Sequence, residues 1–250
     1  MIHIKNKIAI EKMKAAGIAL AHIFDTLSSF IEVGMSTAQV DGWIAAELKR
    51  NNMVSQSKGY HGYAHVSCIS INDEVVHGVP RNDKVIAEHD LVKVDVCAAL
   101  NGFCADMARP YVMGVPVESV VALKKASQDA LQAGVDKAVV GNRLYDISAA
   151  VQAVADSYGF GIIRDFAGHG IGKRMHEAPD VPNYGQAGTG PVLREGMAFA
   201  IEPMFAVGSY KVKIDKDGWT ARTVDSSLAM HIEDTVIVLN SGPYVTTRLM

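Results

Sequence analysis

Asp95 and Asp106 flank Asn101-Gly102 in LVKVDVCAALNGFCADMARPYV, a hairpin signal set between two β-type runs. Pairing across that two-residue loop sets Asp106 opposite Cys97, and Cys97 shares a sheet face with Asp95 two residues away. Both carboxylates then point the same way, as diagonal neighbours roughly 7–8 Å apart at the backbone. Two ionised groups so placed repel unless a cation sits between them. On the hairpin alone, two solvated strand aspartates fit the pattern equally well, so further ligands have to be sought downstream.

Three more ionisable residues stand alone in apolar or glycine-rich runs: His169 in AGHGIGKRMHEAP, Glu202 in MAFAIEPMF and Glu233 in LAMHIEDTVIVL. Burying a lone carboxylate costs several kcal/mol unless it is paired or ligated. His169 lies in what reads as a Gly-rich turn, where backbone approaches a ligand closely. One imidazole with four carboxylates suits Fe, Mn, Co or Zn as divalent ions. Four carboxylates over-supply a single zinc, whereas two ions roughly 3.5–4 Å apart share them as in two-metal hydrolases.

His77, in NDEVVHGVP, and His176, in MHEAP, are candidate hydrogen-bond donors or acids beside such a centre. Each taken singly also fits a surface or core histidine. His176-Glu177 fails the zinc-protease helix spacing, because Ala-Pro-Asp follows and Pro179 breaks any helix. Gly168-x-Gly170-x-Gly172-Lys173 matches neither phosphate-loop nor dinucleotide spacing. Cys68, within SCISI, reads as a small buried residue, and Met175, Met204 and Trp219 read equally as core or as pocket wall.

These residues need a folded body to bring them together. The chain has 250 residues, 49% hydrophobic and 20% charged, enough for a large core without staples. Its net charge of −3 and lack of a basic block argue against nucleic acid as the main ligand. Three cysteines, Cys68, Cys97 and Cys104, form no Cys-x-x-Cys pair, which suits a reducing cytoplasm. No run reaches the roughly 18 apolar residues of a membrane helix, and the N-terminal segment scatters charge, so neither secretion nor anchoring is expected.

Apolar residues three and four apart predict a helix from Asn6 to about Ile31, closed by Gly34. Ser36 caps a second over about Thr37 to Arg50, burying Val40, Trp43, Ile44 and Leu48. Short β-rich runs follow between about His65 and Val112. Two more helices are predicted at 117–139 and 144–158, closed by Gly141 and Gly159, before a second strand-rich region at about 160–240. Helices-then-strands thus occurs twice, predicting one α+β domain, residues 1–250, whose halves (about 1–112 and 113–250) face each other across a shared antiparallel sheet.

GYHGYAHVSCISINDEVVHGVP, VKVDV…GFCADMAR, GHGIGKRMHEAP, FAIEPM and IEDT, in this order and spacing, resemble the type I methionine aminopeptidases from about residue 58 to 240. The resemblance implies a pita-bread fold: a pseudo-twofold antiparallel sheet flanked by helices. It implies two divalent ions on Asp95, Asp106, His169, Glu202 and Glu233, the set reached from the residues alone. It implies that His77 and His176 meet the substrate and its oxyanion, and that Tyr60, Tyr63, Cys68, Met204 and Trp219 line the side-chain pocket. Thioether and aromatic walls suit methionine. Ions in such a site activate water and polarise the first peptide carbonyl, with Glu202 collecting and returning the proton. The partners expected are peptide and nascent-protein N-termini and the ribosome; the sequence is silent on oligomeric state, with monomer as the default.

The chain departs from that family's pattern near the last glutamate. Asp234 stands where the family usually has His, and Met230-His231 where it has a small residue and Gln. GFCADMAR and IEDT also resemble the X-Pro dipeptidase and aminopeptidase P branch, which shares the fold and the five ligands. Those enzymes commonly carry a separate N-terminal domain, whereas only the segment before Gly59 precedes the motifs here. NDEVVHGVP belongs to the methionine branch. Two rival readings therefore stand beside methionine removal: an X-Pro peptidase, and a non-catalytic peptide-binding paralogue.

Overall fold

The alternation of LVKVDV sets the whole architecture. In the computed structural model, which describes residues 2–249, the strand Leu91–Leu100 turns Val92, Val94 and Val96 into an apolar core. Lys93, Asp95 and Cys97 take the other face by the same period of two. That core is closed by α1 (Lys7–Phe30), through Leu20, Phe24 and Leu27, and by α2 (Thr37–Arg50), through Val40, Ile44 and Leu48. Asn6 caps α1 by accepting from the Ala9 amide at 2.9 Å. A full capping box between Ser36 and Gln39 starts α2. Trp43 is half-buried rather than fully inside, its ring stacked on Phe30 at 4.7 Å.

The Asn101-Gly102 hairpin forms as expected, with both residues at positive φ (51° and 78°). Its register joins Leu91–Leu100 to Phe103–Val112, places Cys97 opposite Asp106, and so commits both aspartates to one face. Cys68–Ile71 pairs on the other edge of Leu91–Leu100, with Cys68 opposite Asp95.

The second half repeats the scheme. Packed helices α3 (Glu118–Lys137) and α4 (Leu144–Tyr158) supply Leu131, Val135 and Ile147 to a core with Phe199, Ile201, Ile232, Val236 and Val238. Those five come from Ala198–Ile201, Asp234–Leu239 and the segment between, so the alternate positions Glu202, Glu233 and Thr235 take the opposite face. Gly159 closes α4 in the left-handed conformation as expected. For α3 the expected stop at Gly141 is corrected: the helix ends at Lys137, capped by Ala138. The Ala138 amide turns early onto the Val135 carbonyl, and the Gly141 amide donates instead to the distant Leu193 carbonyl at 3.0 Å.

Every strand pair is antiparallel. The expectation of one shared sheet is corrected in detail: among the described residues the strands form four hydrogen-bonded groups. One group joins strands of both halves, Glu74–Val76 pairing with Ala221–Thr223, and the halves also meet at an isolated bridge, Ala108 with Glu233. Beside it the Asp106 amide donates to Thr235 Oγ1 at 2.8 Å and that hydroxyl donates back to the Asp106 carbonyl at 2.9 Å. The seam between the halves therefore runs through two residues singled out by sequence. Among the described residues no helix is long and apolar enough to cross a membrane.

Candidate metal centre

A cavity of about 880 Å³ opens onto this seam. Asp95, Asp106, His169, Glu202 and Glu233 all line it, as do His77, His176, Tyr60, Tyr63, Cys68, Met204 and Trp219. Residues spread from Tyr60 to Glu233 are thus gathered in one chamber. A larger cavity, about 1080 Å³, holds none of the five acidic and imidazole groups; it is lined by Ile232 and Asp234, the flanks of Glu233 that point the other way.

Two sets of donor atoms each lie within 4.8 Å of one another: Asp106, His169 and Glu233, and Glu202, His231 and Glu233. His169 Nε2 is 3.7 Å from Asp106 Oδ2 and 3.6 Å from Glu202 Oε1. Its Nδ1 lies 3.0 Å from the Gly170 carbonyl, which can only accept, so Nδ1 carries the proton and Nε2 presents a lone pair to the carboxylates. That is the tautomer a metal requires. Asp95 lines the chamber outside both sets.

The sequence predicts a Gly-rich turn at His169; the residue sits instead in the strand Gly168–Gly170, between partners on both sides. The glycines act there by close approach. A Cβ on Gly168 would meet the Ala200 carbonyl at 2.4 Å, and one on Gly170 the Ala178 carbonyl at 2.4 Å. Glu202 follows Ala198–Ile201 directly, and Asn183 Nδ2 fixes its carbonyl at 2.9 Å.

Burial dominates the electrostatics. It pushes Asp95 up to about 8, with Asp106 the next cause, and Asp106 up to about 7, with Glu202 the next. Glu202 and Glu233 are raised well above the usual carboxylate range, again by burial first. Burial holds His169 down to about 3, His77 to about 4 and His231 to about 4, so all three imidazoles are neutral at pH 7. Four acids that resist ionising beside neutral imidazoles form a site short of positive charge. Asp106 Oδ1, Glu233 Oε1 and His231 Nε2 are buried and make no hydrogen bond among the described residues. Buried oxygen and nitrogen donors left unsatisfied beside these two close sets are what divalent cations satisfy.

Around this cluster, His176 Nδ1 lies 2.9 Å from the Tyr60 hydroxyl, and its ring meets that of His169 edge to face at 4.3 Å. His77, at positive φ (59°), packs its ring against Phe166 at 5.2 Å. Tyr63 donates to the Ser67 carbonyl at 2.9 Å and packs on Trp219 at 4.9 Å. Cys68 is a half-buried part of the cavity wall, which corrects its reading as a buried small residue. Glu177 has a structural place beside the site. It pairs with Lys5 at 3.1 Å and accepts from the Lys173 amide at 2.9 Å, tying down the loop that carries His176.

The chain matches the model of metallopeptidase family M24 over residues 11–240. It is 44% identical over 247 residues to the methionine aminopeptidase of Clostridium acetobutylicum, covering 99% of each chain. The chain belongs to metallopeptidase family M24. Within this M24 fold, a crystal structure of methionine aminopeptidase from Thermotoga maritima superposes with a TM-score of 0.97 at 40% identity, each chain covered completely. Prolidase from Pyrococcus furiosus shares the fold at a TM-score of 0.78 and 24% identity, with 66% of its chain covered. The pita-bread α+β fold is therefore that of the M24 enzymes, and the buried acidic and imidazole cluster has the donor set that divalent-metal binding in a metallopeptidase calls for.

In the sequence His231 stands out only as a departure from the family's pattern, not as a site residue. It lies two residues before Glu233, and extended backbone puts both on one face, so the period of two is the signal available.

Proposed function

We propose that this M24 chain is an aminopeptidase that removes N-terminal methionine, holding two divalent ions on Asp95, Asp106, His169, Glu202 and Glu233. The observation that carries it is the single chamber in which these five groups adjoin Tyr63, Cys68, Met204 and Trp219. A slot with a thiol, a thioether and two aromatic rings suits an unbranched, polarisable side chain. The methionine aminopeptidase relatives, matched along their full length, support the same substrate.

Bound ions supply an activated water and polarise the scissile carbonyl. The chain's own groups do the rest. Glu202, its side chain 11% exposed in the chamber, collects the proton released by the attacking water and returns it to the leaving amine. His176 is neutral at pH 7, burial lowering its pKa; its Nδ1 lies 2.9 Å from the Tyr60 hydroxyl, which fixes the ring so that Nε2 is left to meet a developing oxyanion. His77, neutral and braced by Phe166, donates to the scissile amide. The nitrogen and oxygen donors accept Co, Mn, Fe or Zn. The three free cysteines suit a reducing, cytoplasmic setting, where nascent chains leaving the ribosome supply N-termini.

A dipeptide panel on the metal-reconstituted protein tests this. Turnover of Met-Ala without Ala-Pro is expected. Cleavage of Ala-Pro alone would establish an X-Pro peptidase, and binding of peptide N-termini without cleavage a non-catalytic paralogue.

A further inference from the structure

His231 is 2% exposed, and its Nε2 makes no hydrogen bond among the described residues. The atom is aimed at carboxylates all the same: 3.3 Å from Glu202 Oε2 and 3.8 Å from Glu233 Oε2. Donors bound at roughly 2.0–2.2 Å to one tetrahedral ion stand roughly 3.3–3.6 Å apart. His231 therefore spans the two glutamates much as His169 spans Asp106 and Glu202, at 3.7 and 3.6 Å. Glu202 is held between two imidazoles, one oxygen toward each. The strand Ala229–His231, paired with Met204–Ala206 so that His231 lies opposite Met204, holds the ring in place.

We propose that His231 is a sixth protein ligand of the metal centre, its Nε2 bound to an ion shared with Glu202 and Glu233. This rests on the metal-centre reading above and goes beyond it by giving each of the two ions an imidazole of its own. Ligation through Nε2 satisfies the one buried chamber nitrogen left without a partner among the described residues, and brings no further negative charge to a site already holding four carboxylates.

Cobalt(II) titration of the metal-free protein, followed by calorimetry and by the visible absorption of the bound ion, tests the proposal on the wild type, His231→Gln and His231→Ala. The wild type is expected to bind two ions. The variants should bind one ion normally and the second about 10- to 100-fold more weakly, with an altered cobalt spectrum. X-ray absorption on the cobalt-loaded wild type should count one imidazole per ion on average, a measurement that stands even if neither variant folds. A count of one imidazole for every two ions, or unchanged affinities and spectrum in folded variants, would overturn the sixth ligand and leave His231 as a donor to Glu202. Failure of the wild type to bind cobalt at all would sink the metal-centre reading together with it.

Discussion

The Arg109 guanidinium grips Asp234 from behind the site: Nη2 donates to Asp234 Oδ1 while Nη1 donates to the carbonyl of Glu233, the neighbouring residue of the buried acidic cluster. Asp234 is fully buried and also accepts from Arg248 Nε at 2.8 Å and Thr247 Oγ1 at 2.7 Å. The residue that departs from the family's usual histidine is thus the anchor of the chain segment that carries Glu233.

Asp234→Ala should destabilise the fold by about 3–5 kcal/mol, because it leaves the Arg109 charge without its partner in a largely buried setting. Arg109→Ala should cost less, since Arg248 and Thr247 still satisfy Asp234. Urea unfolding of both variants measures the difference; equal losses would count against Asp234 as the anchor.

Asp106→Ala and His169→Ala should each abolish turnover and weaken metal binding, as both contribute donors to the same close set. His176→Ala should keep the metal and lower kcat by roughly 10²–10³-fold, the usual loss for one oxyanion donor. Metal content determined beside steady-state kinetics separates the two classes. Metal loss in the His176 variant would contradict its role.

Tyr60→Phe removes the hydroxyl 2.9 Å from His176 Nδ1 and nothing else of the ring packing. The expected result is a kcat about 2- to 10-fold lower, in line with one hydrogen bond worth about 0.5–1.5 kcal/mol, with metal affinity unchanged. A changed cobalt or manganese affinity would show that the hydroxyl acts on the centre itself.

Metal-free protein should lose stability as pH rises from about 6.5 to 8. Asp106 and Asp95, raised to about 7 and 8, favour the protonated form in the folded state, so their contribution is present below the unfolded value near 4 and is lost as pH climbs through 7 and 8. His169, His77 and His231 are depressed to about 3, 4 and 4; their contribution is complete above about 6.5 and is lost as pH falls through those values. The two groups oppose each other below about 6.5, and above it the acids prevail. Lys93, held down to about 7 by burial, offsets one of them above pH 7. Thermal melts in chelator should show a falling Tm across this window, and metal-loaded protein should not. A Tm that rises with pH in chelator would mean the acids are already ionised without a cation.

Local chemistry was legible in the sequence. Asn101-Gly102 sets a register that no packing has to decide, and with it the common face of Asp95 and Asp106. Ser36 and Gln39 start α2 from within one turn. The isolated acids in apolar strands betrayed themselves by the cost of burying charge. Each of these is a relation between residues close in the chain. The bond from Gly141 to Leu193 beyond the end of α3, the strand rather than turn at His169, and the ion pair of Glu177 with Lys5 were not legible, because each depends on a partner distant in the chain.

What the sequence by itself determined is which side chains leave the core: alternation fixes the faces of Leu91–Leu100 and Asp234–Leu239, whatever lies opposite. What only the tertiary structure decided is that those faces converge. The seam at Ala108 and Glu233, locked by Thr235 on Asp106, brings two halves together across more than a hundred residues and places His231 between two glutamates. Periodicity tells a residue which way to point, but the distance to its partner is set by how helices and strands pack, and coordination depends on that distance.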